Sequence, residues 1–209
     1  MIRLLYTEIS ALPDVARLSS CLPDSFLQAY RAAHPKASVA GLGALWLAAK
    51  GGADGSLAYD EKGRPSLTGG TCNDLSISHT DRLVFCALAF GEHKRIGLDA
   101  EDGGRLDERT MERIAQRFFA PAEQAALRES SGKKEAFLEL WTKKEAYAKY
   151  RGDGLAAVLS EKETEKEFEG SGRFFSEIVA GTRVAICTDS PSDGSFPVAE
   201  RVDFFVKHG

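Results

Sequence analysis

Ile96-Gly97-Leu98-Asp99-Ala100-Glu101-Asp102-Gly103-Gly104 is where the chain changes character. It reads as a strand, entered at Arg95, that runs out into a polar, glycine-rich turn. Upstream of it, short apolar runs are spaced like strands. Downstream, apolar residues recur every three or four positions, as on helices. Alternate side chains of a strand share a face, so Asp99 and Glu101 project together.

Working outward, the first part opens with a strand from Ile2 to Ile9. Helices follow from Pro13 to Ser20, Pro23 to Ala33 and Ser38 to Lys50, the last with Ser38 as N-cap and Gly51-Gly52 as its stop. Gly41 and Gly43 lie inside that helix and mark close packing or close ligand approach. The stretch from Ala53 to Asn73 is glycine-rich and polar and is expected to be mostly loop. Strands are expected at Leu75–Ser78, Leu83–Phe90 and Arg95–Asp99, with Gly91-Glu92-His93-Lys94 as a hairpin joining the last two. Beyond Gly104 the spacing predicts helices at Asp107–Phe119, Pro121–Ser130 and Lys133–Tyr150, the longest ending at Gly152. Strands then follow at Arg173–Ala180, Thr182–Thr188 and Arg201–Val206, with a charged, solvated connection from Glu161 to Glu169.

One internal echo matters. Arg82-Leu83-Val84-Phe85-Cys86-Ala87 resembles Arg183-Val184-Ala185-Ile186-Cys187, and each sits in a hairpin after a helical stretch. The order points to an α+β chain of two similar halves, 1–100 and 101–209.

Composition narrows the class. The 209 residues carry a net charge of −4, which argues against nucleic-acid binding because phosphate backbones select basic faces. The four cysteines, Cys21, Cys72, Cys86 and Cys187, form no CxxC pair, so neither a zinc site nor a disulfide scaffold is indicated. Met1 to Glu8 lacks the apolar core of a signal peptide, and no apolar run approaches the roughly 20 residues of a membrane span. A cytoplasmic protein that engages no membrane is expected.

The chemistry concentrates in two places. On the helix Trp141-Thr142-Lys143-Lys144-Glu145-Ala146-Tyr147-Ala148-Lys149, the residues Leu138, Trp141, Glu145 and Ala148 form a stripe. A carboxylate on an apolar stripe is costly unless paired or metal-bound. An i,i+4 ion pair between Glu145 and Lys149 is the ordinary explanation, but it leaves the placement beside Trp141 unexplained. Asp99, Glu101 and Glu145 together would make a hard oxygen site that suits magnesium, with lysines holding phosphate oxygens. Upstream, Ser78 and His79 end a strand at a turn and can donate hydrogen bonds to phosphate. They do not form a nucleophile pair, since no Gly-x-Ser-x-Gly elbow is present. Gly63-Arg64-Pro65 adds a cation in a turn.

Taken in order, these segments resemble the 4′-phosphopantetheinyl transferases of the larger, single-chain type. The resemblance is carried by Gly63-Arg64-Pro65, Ser76-Ile77-Ser78-His79, Ile96-Gly97-Leu98-Asp99-Ala100-Glu101, Arg117-Phe118-Phe119, Glu123, Trp141 to Lys149, and Gly152 to Leu155. It implies two pseudo-symmetric α+β halves with the active site at their interface. It also implies transfer of 4′-phosphopantetheine from coenzyme A to a serine of an apo acyl or peptidyl carrier protein, releasing 3′,5′-ADP. The carriers served are those of fatty-acid, polyketide or nonribosomal-peptide biosynthesis.

By position, the resemblance makes Asp99, Glu101 and Glu145 the ligands of Mg2+, which Mn2+ would replace. Glu145 would also be the base, Lys149 would steady the leaving group, and His79 and Lys144 would contact phosphates beside Ser78. Gly63, Arg64 and Pro65 would line the adenine. Ser38, with Arg31 and Lys36, would meet the 3′-phosphate, although Ala37 stands where the family carries arginine. Carrier recognition is expected between Gly103 and Phe119, through Leu106, Met111 and Phe118, the last reading equally well as core. A monomer is expected. Two alternatives use the same residues: a non-catalytic coenzyme A or carrier-binding module, and a magnesium-dependent pyrophosphate hydrolase.

Overall fold

The structure is a computed structural model and describes residues 1–104, 106–154, 173–189 and 196–204. The expected charged connection at 161–169, Leu155, and the end of the expected last strand beyond 204 lie outside the described residues. In chain order the elements are β1 (Ile2–Glu8), a 3-10 turn (Ile9–Ala11), α1 (Val15–Ser20), α2 (Asp24–Ala33), α3 (Val39–Lys50), β2 (Ser56–Tyr59), β3 (Pro65–Thr68), β4 (Cys72–His79) and β5 (Leu83–Phe90). They continue with β6 (Ile96–Glu101), α4 (Glu108–Phe118), α5 (Pro121–Glu129), α6 (Lys133–Arg151), β7 (Arg173–Val179), β8 (Thr182–Thr188) and β9 (Ala199–Arg201). Contacts group these into two units, Met1–Ile96 with Pro197–Gly209, and Gly97–Phe196.

In the first unit the sheet order is β4-β5-β1-β9. Antiparallel β5 takes β4 on one side and β1 on the other, while β9 joins β1 in parallel. With both edges occupied, β5 reads as an unbroken apolar run, and Leu83 to Ala89 are all buried. The helix α3 lies on this sheet and packs Leu42, Leu45 and Trp46 into a core with Leu5, Val84, Cys86 and Leu88. Ser38 caps it, accepting the Gly41 N–H at 3.0 Å. Gly41 and Gly43 serve packing, for a side chain would strike Tyr30 at the first and Leu12 at the second.

Two expectations are corrected here. The stretch 53–73 holds the hairpin β2–β3, with Leu57 opposite Leu67, rather than mostly loop. Its strands are only four residues each, too short for alternation to register. The turn at 91–94 does not pair β5 with β6, which lie in different sheets. Since β4 and β1 already hold both edges of β5, the chain turns away. Asn73 Nδ2 donates to the carbonyls of Gly91 and His93, and the Ile96 N–H goes to the Asp74 carboxylate at 3.0 Å.

In the second unit the order is β6-β8-β7. The β7–β8 hairpin turns tightly through Ala180 and Gly181, whose φ values of 50° and 81° are the positive pair that such a two-residue turn needs. The helix α6 lies on β8, with Ala146 and Tyr147 packed against Ala185 and Cys187. Its other end gathers α4 and α5 around Phe137, Leu138 and Trp141. Gly152, at φ 75°, stops it in the left-handed cap that glycine allows.

The internal plans match. In each unit a hairpin (β4–β5, β7–β8) sets its second strand beside the unit's first strand (β1, β6), and the preceding long helix (α3, α6) packs on that second strand. The last described strand, β9, belongs to the first unit beside β1, whereas the sequence reading grouped it with the second half and placed it at 201–206. Among the described residues no helix is long and apolar enough to cross a membrane.

Candidate functional site

The second unit brings Asp99, Glu101, Glu145 and Lys149 together. Gly97 makes this possible. A side chain there would drive into the carbonyl of Ala146 and the amide of Tyr150, so only glycine lets α6 lie directly against β6. With the backbones in contact, Lys149 Nζ reaches Asp99 Oδ1 at 2.8 Å. Asp99 is buried, and its Oδ2 takes no hydrogen bond among the described residues.

Glu101 and Glu145 are both half-buried, and each is pushed up to about 7. For both, withdrawal from water is the largest cause and the charge of Asp99 the next. Glu101 is pulled back by a hydrogen bond from Trp141 and then by Lys149; Glu145 is pulled back by Lys149. Trp141 therefore shares the stripe with Glu145 for a chemical reason, because it serves the facing carboxylate.

Among the described residues no group of three or more His, Cys, Asp or Glu side chains is arranged so that it could hold a metal ion as it stands. The donor chemistry nevertheless fits a hard divalent cation. Three carboxylates converge, and two of them are driven toward neutrality, first by burial and then by the charge of Asp99, which Lys149 only partly offsets. Asp99, Glu101 and Glu145 are the residues that would hold such an ion.

Lys144 is placed otherwise than expected. Its side chain is 1% exposed and its Nζ lies 2.8 Å from Glu123 Oε2, itself 8% exposed. The same oxygen accepts the Ala120 N–H at 2.7 Å at the start of α5. Lys144 is thus engaged inside the helix layer, with Glu123 as an ion-pair partner, where the resemblance had it contacting a phosphate. The partner, Glu123, entered the sequence reading only as part of a resemblance. A signal for the burial was present, since Lys144 falls on the stripe Phe137, Trp141, Lys144, Ala148, and all four are buried.

The other candidates are carried by the first unit. His79 is exposed at the end of β4, with Nδ1 3.3 Å from the Thr80 carbonyl, and Ser78 beside it is buried. Arg64 pairs with the buried Asp74 and donates to the carbonyls of Pro65 and Ile96. Gly63, at φ 80°, completes the tight turn that Asp60 holds, and Pro65 is buried at the start of β3. Arg31 and Lys36 are exposed. The Ser38 hydroxyl is engaged as a helix cap within reach of Tyr30. Of the residues expected to meet a carrier, Met111 is buried, and Leu106 and Phe118 pack against the same α4–α6 core.

A model of the 4′-phosphopantetheinyl transferase superfamily matches residues 95–197, which contain the whole cluster. The chain is 33% identical over 105 residues to the 4′-phosphopantetheinyl transferase HetI of Nostoc sp. strain PCC 7120, covering 48% of this chain and 43% of that protein. It is 32% identical over 106 residues to a 4′-phosphopantetheinyl transferase of Bacillus subtilis, covering 50% and 44%. It is also 32% identical over 101 residues to Sfp of Bacillus subtilis strain 168, covering 47% and 42%. The match thus spans less than half the length of these relatives. Residues 95–197 thus carry the chain's match to the 4′-phosphopantetheinyl transferase superfamily.

Proposed function

We propose that this protein transfers 4′-phosphopantetheine from coenzyme A to a serine of an apo acyl or peptidyl carrier protein, releasing 3′,5′-ADP, with Mg2+ bound by Asp99, Glu101 and Glu145. The observation that carries the reading is the convergence of these three carboxylates with Lys149 on one unit, inside the stretch that matches the superfamily.

In the reaction the serine Oγ attacks the phosphorus on the pantetheine side of the pyrophosphate. A new P–O bond forms there, the anhydride P–O bond breaks, and its electron pair leaves with 3′,5′-ADP. Glu145 accepts the serine proton. Lys149 neutralises the departing phosphate, and Trp141 holds Glu101 in place. The bound ion would supply charge neutralisation on the pyrophosphate, usually the largest single contribution in such chemistry. Ser78 and His79 would hold phosphate oxygens, and Gly63, Arg64 and Pro65 would line the adenine. Arg31, Lys36 and Ser38 would meet the 3′-phosphate. With Ser38 already capping α3 and Ala37 offering no cation, that grip is weak, and discrimination against dephospho-coenzyme A is expected to be modest.

The test is mass spectrometry of a panel of apo-carriers incubated with coenzyme A, with Mg2+ and with EDTA. Modified carrier only in the presence of Mg2+ supports the reading. Release of phosphopantetheine without an acceptor would replace it with a hydrolase.

A further inference from the structure

Adjacent residues on an α-helix point about 100° apart. On α6, Lys144 is directed at Glu123 of α5, while Glu145 is directed at the carboxylates of β6. We propose that the buried Glu123–Lys144 pair fixes the rotation of α6 about its own axis and so aims Glu145 at Asp99 and Glu101. Lys144 is then a positioning residue and not a phosphate ligand. The inference rests on the proposed function only in taking Glu145 as a metal ligand.

Gly97 and the Glu123–Lys144 pair restrain α6 in different ways, and the Lys149–Asp99 ion pair within the cluster ties the helix to β6 as well. Gly97 sets how close the helix lies to β6, through the backbone at Ala146 and Tyr150. Closeness alone leaves rotation open, because apolar contacts such as those of Phe137, Trp141 and Tyr147 are non-directional. The pair supplies direction. Glu123 Oε2 is fixed by the Ala120 N–H at 2.7 Å and meets Lys144 Nζ at 2.8 Å, with the ammonium 5.6 Å from the centre of the Phe119 ring. Moving Lys144 out to a phosphate would leave the buried Glu123 carboxylate without its cation, which is strongly unfavourable. A swing of Lys144 in place would carry its neighbour Glu145 with it.

Three proteins decide the matter: the unaltered chain, Lys144→Met, and the double variant Glu123→Gln with Lys144→Gln. The double variant keeps a hydrogen-bonded link without charge. Mn2+ is titrated calorimetrically into each protein alone, and coenzyme A is titrated at saturating Mn2+. Loss of a group that orients a metal ligand weakens metal binding by about tenfold. Lys144→Met is expected to show that loss, with coenzyme A affinity within about twofold of the unaltered chain, and the double variant is expected to regain Mn2+ affinity. If Lys144→Met does not fold, the double variant decides alone. A lysine that held phosphate by charge would cost coenzyme A affinity in both variants, which overturns the proposal. So does unchanged Mn2+ affinity in Lys144→Met, or no Mn2+ binding by the unaltered chain. An unaltered chain that binds Mn2+ but modifies no carrier would overturn the proposed function and leave the role of the pair to the Mn2+ titration.

Discussion

Glu145 carries more of the proposed chemistry than any other side chain, and its environment makes two predictions. First, Glu145→Gln keeps the shape of the side chain but removes the proton acceptor, so transfer should fall by about 100-fold or more, read as initial rate at saturating Mg2+. Second, Glu101 and Glu145 both rise from an ordinary 4.5 to about 7 in the folded chain. Between those values the folded chain keeps protons that the unfolded chain has released. In EDTA, stability should therefore fall as pH rises from 4.5 to 7 and level off above. Urea melts across that range should show the slope, and Glu145→Gln should reduce it to the part that Glu101 supplies; an equal slope in the variant would remove Glu145 as a source. The sequence disclosed Asp99, Glu101 and Glu145 because strand alternation and helix spacing are local rules. It did not disclose that Lys149 pairs with Asp99, a contact that only the packing of α6 on β6 creates.

Among the elements, α6 and its contact with β6 decide whether the cluster exists. Gly97→Ala should force the helix away from the strand, costing about 1–3 kcal/mol of stability. Chemical denaturation would measure that cost, and weaker Mn2+ binding by the folded variant would show that the spacing matters to the site. Retention of both stability and metal affinity would mean that the helix does not depend on this approach. Helices were the most legible elements, since Ser38, Asp107 and Pro121 at their starts and Gly152 at the end of α6 act through their own backbone neighbours. The hairpin β2–β3 was not legible, for each four-residue strand turns just two residues inward, Leu57 and Tyr59 on one and Pro65 and Leu67 on the other. The separation of β5 from β6 was equally hidden, because it depends on β1 having already claimed the free edge of β5. Lys144 lay on a readable apolar stripe, but its partner there, Glu123, is a residue on another helix.

At the scale of the whole molecule, the repeated plan of first strand, long helix and hairpin was foreshadowed by the echo of 82–87 in 183–187, since the second hairpin strand is the most buried element of each unit. The return of the chain to the first unit was not foreshadowed. There β9 lies beside β1, Arg3 pairs with Glu200, and Phe204 packs on Trp46 with ring centres 5.0 Å apart. Truncation after residue 196 should therefore weaken the first unit. The chain has two tryptophans, Trp46 in the first unit and Trp141 in the second. In the truncated chain the urea midpoint reported by Trp46, in a Trp141→Phe background, should fall. An unchanged midpoint would show that the returning segment contributes nothing to that core.

The most direct measurement is labelling of an apo-carrier by a fluorescent coenzyme A, comparing the unaltered chain with Asp99→Ala and Glu145→Gln at a series of Mg2+ concentrations. Mg2+-dependent labelling that is lost in both variants is the predicted result. Labelling that persists in EDTA, or full activity in both variants, would contradict the assignment of the carboxylate cluster as the metal-binding heart of a transferase.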